Sequence, residues 1–130
     1  MIDVNIMPLA KLMGIVLVTQ TPELIEAELM VREELCTTNH IMHGGAVMAF
    51  ADTIGAVATV LNLAQGNGTT TVESKTNFFA ALPAGEIARA HCTPLHRGKT
   101  TMVWQTRISR ADGRLAAMVT QTQLVIPPRA

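Results

Sequence analysis

Aromatic and charged side chains are both scarce in this chain of 130 residues. It has one Trp, three Phe and no Tyr, and its ten Lys and Arg residues balance ten Asp and Glu residues. Few aromatic rings leave little surface for stacking the bases of single-stranded nucleic acid. A neutral chain without Lys/Arg runs also lacks the basic surface that binds phosphate backbones. We therefore expect no nucleic-acid partner.

Cysteine is scarce as well, since only Cys36 and Cys92 are present. Two cysteines do not imply a disulfide framework, so a reducing, cytoplasmic location is the default expectation. Neither lies in a motif of an activated thiol, and we expect both to be small buried residues. The N-terminal stretch has Asp3 and no basic start before its apolar part, which does not resemble a secretory signal.

Two small groups of cysteine and histidine raise the question of a metal site. They are Cys36, His40 and His43, and His91, Cys92 and His96. Neither group has the spacing of the common zinc motifs or a clear fourth ligand. The chain also has no phosphate-binding loop or dinucleotide-binding glycine motif. We expect no metal and no other cofactor.

Hydrophobic periodicity and turn residues predict an α+β chain that forms one domain over residues 1–130. We expect a short helix at 8–14 and a long, almost wholly apolar helix at 46–63, which other structure should enclose. Strands are expected at 15–20, 24–31, 69–80, 86–95, 100–109 and 114–126. Tight turns such as Asp112-Gly113 join the last four strands, so these must be antiparallel. An antiparallel sheet curved around the long helix satisfies this order.

The long helix contains one charged side chain, Asp52, within "HGGAVMAFADTIGAVATVLNLAQG" (43–66). In a membrane span Asp52 would lie near the midplane, at a cost of roughly 2.5–3.5 kcal/mol, so we expect no membrane anchor. A buried carboxylate can be structural and satisfied by a neighbour, or it can be a general base or nucleophile in a cleft. The helix alone does not decide between these two roles.

Gly44 and Gly45 open the same helix, where the first amides have no intrahelical partner and the helix dipole is positive. Such amides suit a developing oxyanion, although glycine pairs are also common at plain loop-to-helix junctions. Gly44 and Asp52 are eight residues apart, which is about 12 Å along a helix. This is too far for both to act on one carbonyl. If both are catalytic, one comes from a second copy of the chain, which predicts an active site between subunits.

The motif "HGGAVMAFAD" (43–52), with "LMGIVLV" before it and the strands and turns of 71–122 after it, resembles the hotdog-fold acyl-CoA thioesterases. The likeness is to the phenylacetate-pathway and 4-hydroxybenzoyl-CoA type, whose pattern is HGG, six residues and then Asp or Glu. It covers about residues 8–126. It implies a hotdog fold, hydrolysis of an acyl-CoA thioester, and a homodimer or homotetramer with active sites between subunits.

The resemblance also implies roles for single residues. Asp52 matches the carboxylate that attacks the thioester or activates water, and Gly44 matches the glycine whose N–H polarises the thioester carbonyl. His43 matches the motif histidine, which shapes the site and contacts the acyl-CoA. Thr71 falls where relatives carry a Ser or Thr that can position water. The sequence departs from the pattern six residues before the motif histidine, where relatives commonly carry Asn or Gln and this chain has Thr37.

Two further positions in this loop bear on that departure. Asn39 could supply the missing amide side chain if the loop is shifted. His40 stands where relatives frequently have Gly, three residues before the motif histidine. We expect these changes to affect rate and substrate choice more than the fold.

No further sequence motif identifies the residues that bind the rest of the substrate, so these residues are candidates. Gly45 is expected beside the thioester carbonyl. In "LHRGKT" (95–100), Arg97 and Lys99 around Gly98 could contact the phosphates of CoA, or they could form an ordinary charged turn. The acyl group is expected to lie among apolar side chains, with Met42, Met48, Phe50, Phe78 and Phe79 as candidates.

Two other functions stay open on the sequence. A hotdog enoyl-CoA hydratase would usually pair a catalytic histidine with an acidic residue and lack the HGG-to-Asp arrangement. A non-catalytic module that binds acyl-CoA or acyl-carrier protein would tolerate the loss of the amide at position 37. A thioester suits the motif because a thiolate is a good leaving group and needs no general acid. The identity of the acyl group is not readable from the sequence.

Overall fold

The computed structural model describes residues 1–129 and has an α+β architecture. Its elements in chain order are α1 (Pro8–Met13), β1 (Val16–Thr21), β2 (Leu24–Met30), α2 (Gly44–Val60), β3 (Gly68–Phe78), β4 (Ile87–Arg97), β5 (Thr101–Ser109) and β6 (Leu115–Ile126). Every predicted helix and strand is present, and the strand ends lie within about two residues of the predicted ones. The apolar periodicity therefore located the elements correctly.

The strands of residues 1–129 form one antiparallel sheet in the order β1-β2-β4-β5-β6-β3. Helix α2 packs against one face of the sheet. Every second residue of a strand points to this face. In β5 these residues are Met102, Trp104, Thr106 and Ile108. Trp104 is fully buried, and its Nε1 donates a hydrogen bond to Thr59 Oγ1 of α2 at 2.8 Å. The predicted hotdog arrangement, a sheet wrapped around one long helix, is confirmed.

Helix α2 begins two residues earlier and ends three residues earlier than predicted. Nδ1 of His43 accepts a hydrogen bond from the N–H of Gly45 at 2.8 Å, so His43 caps the helix and Gly44 is its first residue. At the far end, Nδ2 of Asn62 donates to the carbonyl of Ala58 at 2.9 Å, and such local side-chain bonds compete with helix continuation. Within residues 1–129, no helix is both long and apolar enough to cross a membrane.

Strand β3 lies at one edge of the sheet and contains a bulge that the sequence did not predict. Its pairing with β6 shifts between Thr71 and Glu73, which leaves Val72 as the extra residue. In a regular strand, residues three apart face opposite sides of the sheet. Because of the bulge, Thr71 and Ser74 both line the same cavity against α2.

Candidate active site

Asp52 projects from the middle of α2 towards β3 and β6 and is half-buried. Its Oδ1 accepts a hydrogen bond from Thr71 Oγ1 at 2.5 Å and another from Gln121 Nε2 at 3.2 Å. From the residues in 1–129, Oδ2 accepts no hydrogen bond, and the carboxylate forms no ion pair with them. One oxygen of this carboxylate is therefore held in place while the other is available.

A cavity of about 220 Å³ opens at this carboxylate. It is lined by Met48, Ala49, Asp52, Thr71 and Ser74. The hydroxyl of Ser74 is buried and has no hydrogen-bond partner among residues 1–129. A concave surface with apolar walls and a few placed polar groups is typical of a ligand site.

Two glutamines support the carboxylate, and sequence reasoning missed both. Gln121 and Gln123 are fully buried on the inward face of β6. Nε2 of Gln123 donates to Thr71 Oγ1 at 2.6 Å, and its Oε1 accepts from Thr69 Oγ1 at 2.9 Å. A signal was available, because the glutamines continue the inward alternation of Val119. Polar residues at core positions of a strand are typical of functional or strained sites.

The hydroxyl of Thr71 is fully engaged as a donor. It has one proton, which it gives to Asp52. One of its two acceptor positions is taken by Gln123. Thr71 can therefore offer a water molecule only its remaining lone pair, and its main effect in this structure is to orient the carboxylate. This differs from the water-positioning role that the resemblance implies.

The N-terminus of α2 presents one free amide. The N–H of Gly44 has no acceptor among residues 1–129, whereas the N–H of Gly45 is bound to His43 Nδ1. Gly45 therefore cannot offer its amide to a substrate while His43 caps the helix, contrary to expectation. Since Nδ1 accepts, a neutral His43 carries its proton on Nε2. The ring of Phe78 lies over Gly44, where an added Cβ would be 3.2 Å from the ring.

The free amide and the free carboxylate oxygen lie apart in a single chain. Gly44 and Asp52 belong to the same unbroken helix. Eight residues of α-helix span about 12 Å. One chain therefore does not bring the expected oxyanion donor and the expected base to the same carbonyl.

The loop before α2 holds the residues that depart from the family pattern. Thr37 and Asn39 are exposed, and neither side chain forms a hydrogen bond within residues 1–129. Asn39 and His40 adopt left-handed backbone conformations, with φ of 62° and 56°. Glycine adopts such angles without steric cost, which explains why glycine suits position 40. His40 instead contacts Glu33, with Nδ1 and Oε1 2.5 Å apart.

The turn with Arg97, Gly98 and Lys99 lies at the other end of α2. A guanidinium nitrogen of Arg97 is 3.4 Å from Asn62 Oδ1, just beyond the helix C-terminus. Gly98 and Lys99 line a different cavity of about 290 Å³, together with residues 62–64. Within one chain this turn does not contribute to the cavity at the carboxylate.

The apolar residues expected around the acyl group divide into two sets. Met48 lines the cavity at the carboxylate, and Phe78 and Phe79 are 54% and 55% exposed. Phe50 and Met42 instead belong to the core, with 0% and 4% of their surface exposed. The prediction is wrong for these two, because their side chains pack inside the domain.

The two cysteines of residues 1–129 are poor candidates for a nucleophile. Burial raises the pKa of the Cys92 thiol to about 11. Burial, followed by the negative charges of Glu33 and Glu34, raises the pKa of Cys36, which is only partly buried. A raised pKa makes each thiol a poorer nucleophile at neutral pH. No group of three or more His, Cys, Asp or Glu residues within 1–129 could hold a metal ion.

The chain is similar to known thioesterases in sequence and in structure. Residues 39–117 match the family model described as the thioesterase superfamily. The proofreading thioesterase EntH of Cronobacter sakazakii is 30% identical over 102 residues, which cover 78% of this chain and 74% of that protein. Thioesterase HI1161 of Haemophilus influenzae superposes with a TM-score of 0.86 at 27% identity, covering 92% of this chain and 82% of that one. A mutant of thioesterase PA1618 from Pseudomonas aeruginosa gives a TM-score of 0.89 at 26% identity, covering 95% and 91%.

These similarities extend over the elements that build the site. The stretch that matches the family model contains α2 and β3, and with them the HGG motif, Asp52 and Thr71. The superposed structures share the sheet and helix over more than nine-tenths of this chain. The chain belongs to the thioesterase superfamily and is a hotdog-fold thioester hydrolase.

Proposed function

We propose that this protein hydrolyses acyl-CoA thioesters to the free acid and CoA. The observation that carries the proposal is the carboxylate of Asp52, which is held through Oδ1 and leaves Oδ2 free at a cavity. A thiolate is a good leaving group, so one carboxylate and one amide donor suffice without a general acid.

The reaction can follow either of two routes from this carboxylate. In the first, Oδ2 of Asp52 attacks the thioester carbonyl carbon, the CoA thiolate leaves, and water cleaves the resulting mixed anhydride to the acid and the free carboxylate. In the second, Asp52 takes a proton from a water molecule whose oxygen bonds to the carbonyl carbon. The C–S bond then breaks, and the departed CoA thiolate takes the proton from Asp52. In both routes the N–H of Gly44 stabilises the negative charge that develops on the carbonyl oxygen.

The active site is shared between two copies of the chain, in a homodimer or a tetramer of two dimers. The distance of about 12 Å between Gly44 and Asp52 along one helix supports this arrangement. Two copies related by a two-fold axis can place Gly44 of one beside Asp52 of the other. The edge strand β3 is next to the site and is eleven residues long. Its unpaired edge is available for pairing with a second copy.

Other substrate contacts follow from the positions of the remaining candidates. Met48 lines the cavity and Phe78 covers the free amide, so we assign them to the acyl group. We assign Arg97 and Lys99 to the phosphates of CoA, because they place two cations around a glycine turn. The two cysteines are unbridged, which favours a reducing, cytoplasmic location.

The test is the release of free thiol from a panel of acyl-CoAs by the wild type, Asp52→Asn and Asp112→Asn. We expect Asp52→Asn to lower kcat by about 100-fold or more, with the circular dichroism spectrum unchanged. Asp112→Asn makes the same substitution in the exposed β5–β6 turn and should keep the wild-type rate.

Equal rates for the wild type and Asp52→Asn would overturn the proposal. Tight acyl-CoA binding without turnover by the wild type would favour a binding module instead. Hydration of an enoyl-CoA, followed by its ultraviolet absorbance, would favour a hydratase.

A further inference from the structure

Two fully buried glutamines point from β6 towards the site. Gln121 and Gln123 have no exposed surface, and they occupy inward positions of a strand whose other inward residues include Ala117 and Val119. Burying an amide side chain is unfavourable unless it forms hydrogen bonds. The Nε2 of Gln121 donates to Asp52, and the Nε2 of Gln123 donates to Thr71, which is itself bound to Asp52.

The orientation of the Gln121 amide follows from its partners. Its terminal group faces Asp52 at two atoms, the backbone carbonyl at 3.3 Å and Oδ1 at 3.2 Å. Both atoms are acceptors, so the NH₂ group must face them and Oε1 must point away. Oε1 is buried and has no partner within residues 1–129. The Oε1 atom of Gln121 thus has no hydrogen bond, while the NH₂ group donates two hydrogen bonds to Asp52.

Gly55 makes this arrangement sterically possible. It lies one turn after Asp52 on α2 and is buried against the Gln121 amide. A Cβ added at Gly55 would lie 2.2–2.4 Å from the three terminal atoms of that amide. Any larger residue at this position must therefore displace Gln121 from Asp52.

Gln123 acts on Asp52 through Thr71. Its Oε1 accepts from Thr69, which directs its NH₂ group towards the Thr71 hydroxyl. The hydroxyl accepts that bond, so its own proton points at Oδ1 of Asp52. The direction of donation is thus fixed along the whole series, from Thr69 to Gln123, to Thr71, to Asp52.

We propose that Gln121 and Gln123 are positioning residues for the reaction, which fix Oδ1 of Asp52 and make Oδ2 the oxygen that reacts. This inference rests on the proposed function, because it assigns the reacting atom of the proposed catalytic carboxylate. Neither glutamine contacts the substrate. Each acts by restricting the rotation of the aspartate side chain, Gln121 directly and Gln123 through Thr71.

The kinetic test compares Gln121→Leu, Gln123→Leu, Thr71→Val, Thr71→Ser and the double variant Gln123→Leu/Thr71→Val in thiol release. We expect each leucine variant to lower kcat by about 10- to 100-fold with little change in KM. Because Gln123 acts through Thr71, the double variant should be no slower than Thr71→Val alone. Thr71→Ser keeps the hydroxyl and should therefore retain most of the activity that Thr71→Val loses. Gln105→Leu, on the outward face of β5, is the matched control and should match the wild type.

Additive losses in the double variant, or a change confined to KM, would overturn the positioning role. A second readout does not depend on turnover: the side-chain NH₂ resonances of Gln121 and Gln123 in ¹H–¹⁵N NMR spectra. We expect Asp52→Asn to shift those of Gln121 and Thr71→Val to shift those of Gln123, with Gln105 unaffected. Unshifted resonances would refute the hydrogen-bonded series. If the resonances shift but the protein hydrolyses no acyl-CoA, the hydrogen bonds from Gln121 and Gln123 are correct. The proposed function and the catalytic role of these hydrogen bonds are then refuted.

Discussion

The proposed reaction depends on a single backbone N–H, that of Gly44. Gly44 is the first residue of α2, and its N–H is not used by the helix. Proline is well tolerated at this first position, because its missing N–H would have no intrahelical partner. The preceding residue, His43, has φ of −61° and ψ of 136°, which is the extended conformation that a residue before proline prefers. Gly44→Pro therefore removes the proposed oxyanion donor and keeps the helix.

We expect Gly44→Pro to lower kcat by about 100- to 1000-fold, measured by thiol release. Gly44→Ala is the matched control, since it adds a Cβ at 3.2 Å from the Phe78 ring but keeps the N–H. The ring is half exposed and can move, so the alanine variant should lose far less activity. Equal losses in the two variants would mean that crowding, and not the missing donor, is responsible.

At the scale of elements, α2 depends on an unusual cap. The side chain of His43 accepts the N–H of Gly45, a role that Ser, Thr, Asp and Asn commonly fill. We expect His43→Ala to lower the free energy of unfolding by about 1 kcal/mol in urea titrations. His43→Asn, which restores a capping oxygen, should regain most of it. If both variants lose the same stability, the capping bond is not what stabilises the helix end.

The elements and the candidates Asp52, Gly44 and Thr71 could be named from the sequence, while the bulge and the two glutamines beside Asp52 were missed. Alternation and turn residues located every strand, and the apolar run located α2. The bulge at Val72 depends on the pairing between β3 and β6, which a strand's own sequence does not reveal. The alternation of β6 places Gln121 on the inward face, but only the strand register shows that it lies opposite Ser74 and beside Asp52. Phe50 was placed at the acyl group because helix periodicity does not say which apolar face meets the sheet.

For the whole molecule, Cys92 is expected to lower the free energy of unfolding at alkaline pH. Burial raises the pKa of its thiol from 9.0 to about 11. The unfolded chain therefore loses this proton near pH 9, while the folded protein keeps it until about pH 11. The unfolded state is favoured progressively between these values, so stability decreases as pH rises through this window. A difference of about two pKa units corresponds to roughly 2–3 kcal/mol.

We expect the free energy of unfolding in urea, measured in reductant from pH 8 to pH 11, to fall more steeply for the wild type than for Cys92→Ala. The alanine variant is less stable at pH 8, because it leaves a small cavity, but it lacks the titrating group. Parallel curves for the two proteins would show that Cys92 does not cause the pH dependence.

One copy of the chain does not bring Gly44 and Asp52 together. Asp52 and Gly44 each have a free functional group, and the rigid helix between them keeps these groups apart. The shared site is predicted by this spacing and implied by the family resemblance, and it stays a prediction, as does the single domain over residues 1–130. The shared site depends on contacts beyond one copy of residues 1–129.

Subunit complementation is the direct test of an active site shared between subunits. Asp52→Asn and Gly44→Pro chains, each carrying a different affinity tag, are co-expressed, and the doubly tagged mixed oligomer is purified. In a mixed dimer, one site combines the intact Asp52 of the Gly44→Pro chain with the intact Gly44 of the Asp52→Asn chain. We expect a mixed dimer to regain about half of the wild-type thiol release, because one of its two sites is intact, although each parent variant is nearly inactive. A mixed dimer as inactive as its parents would contradict an active site shared between subunits.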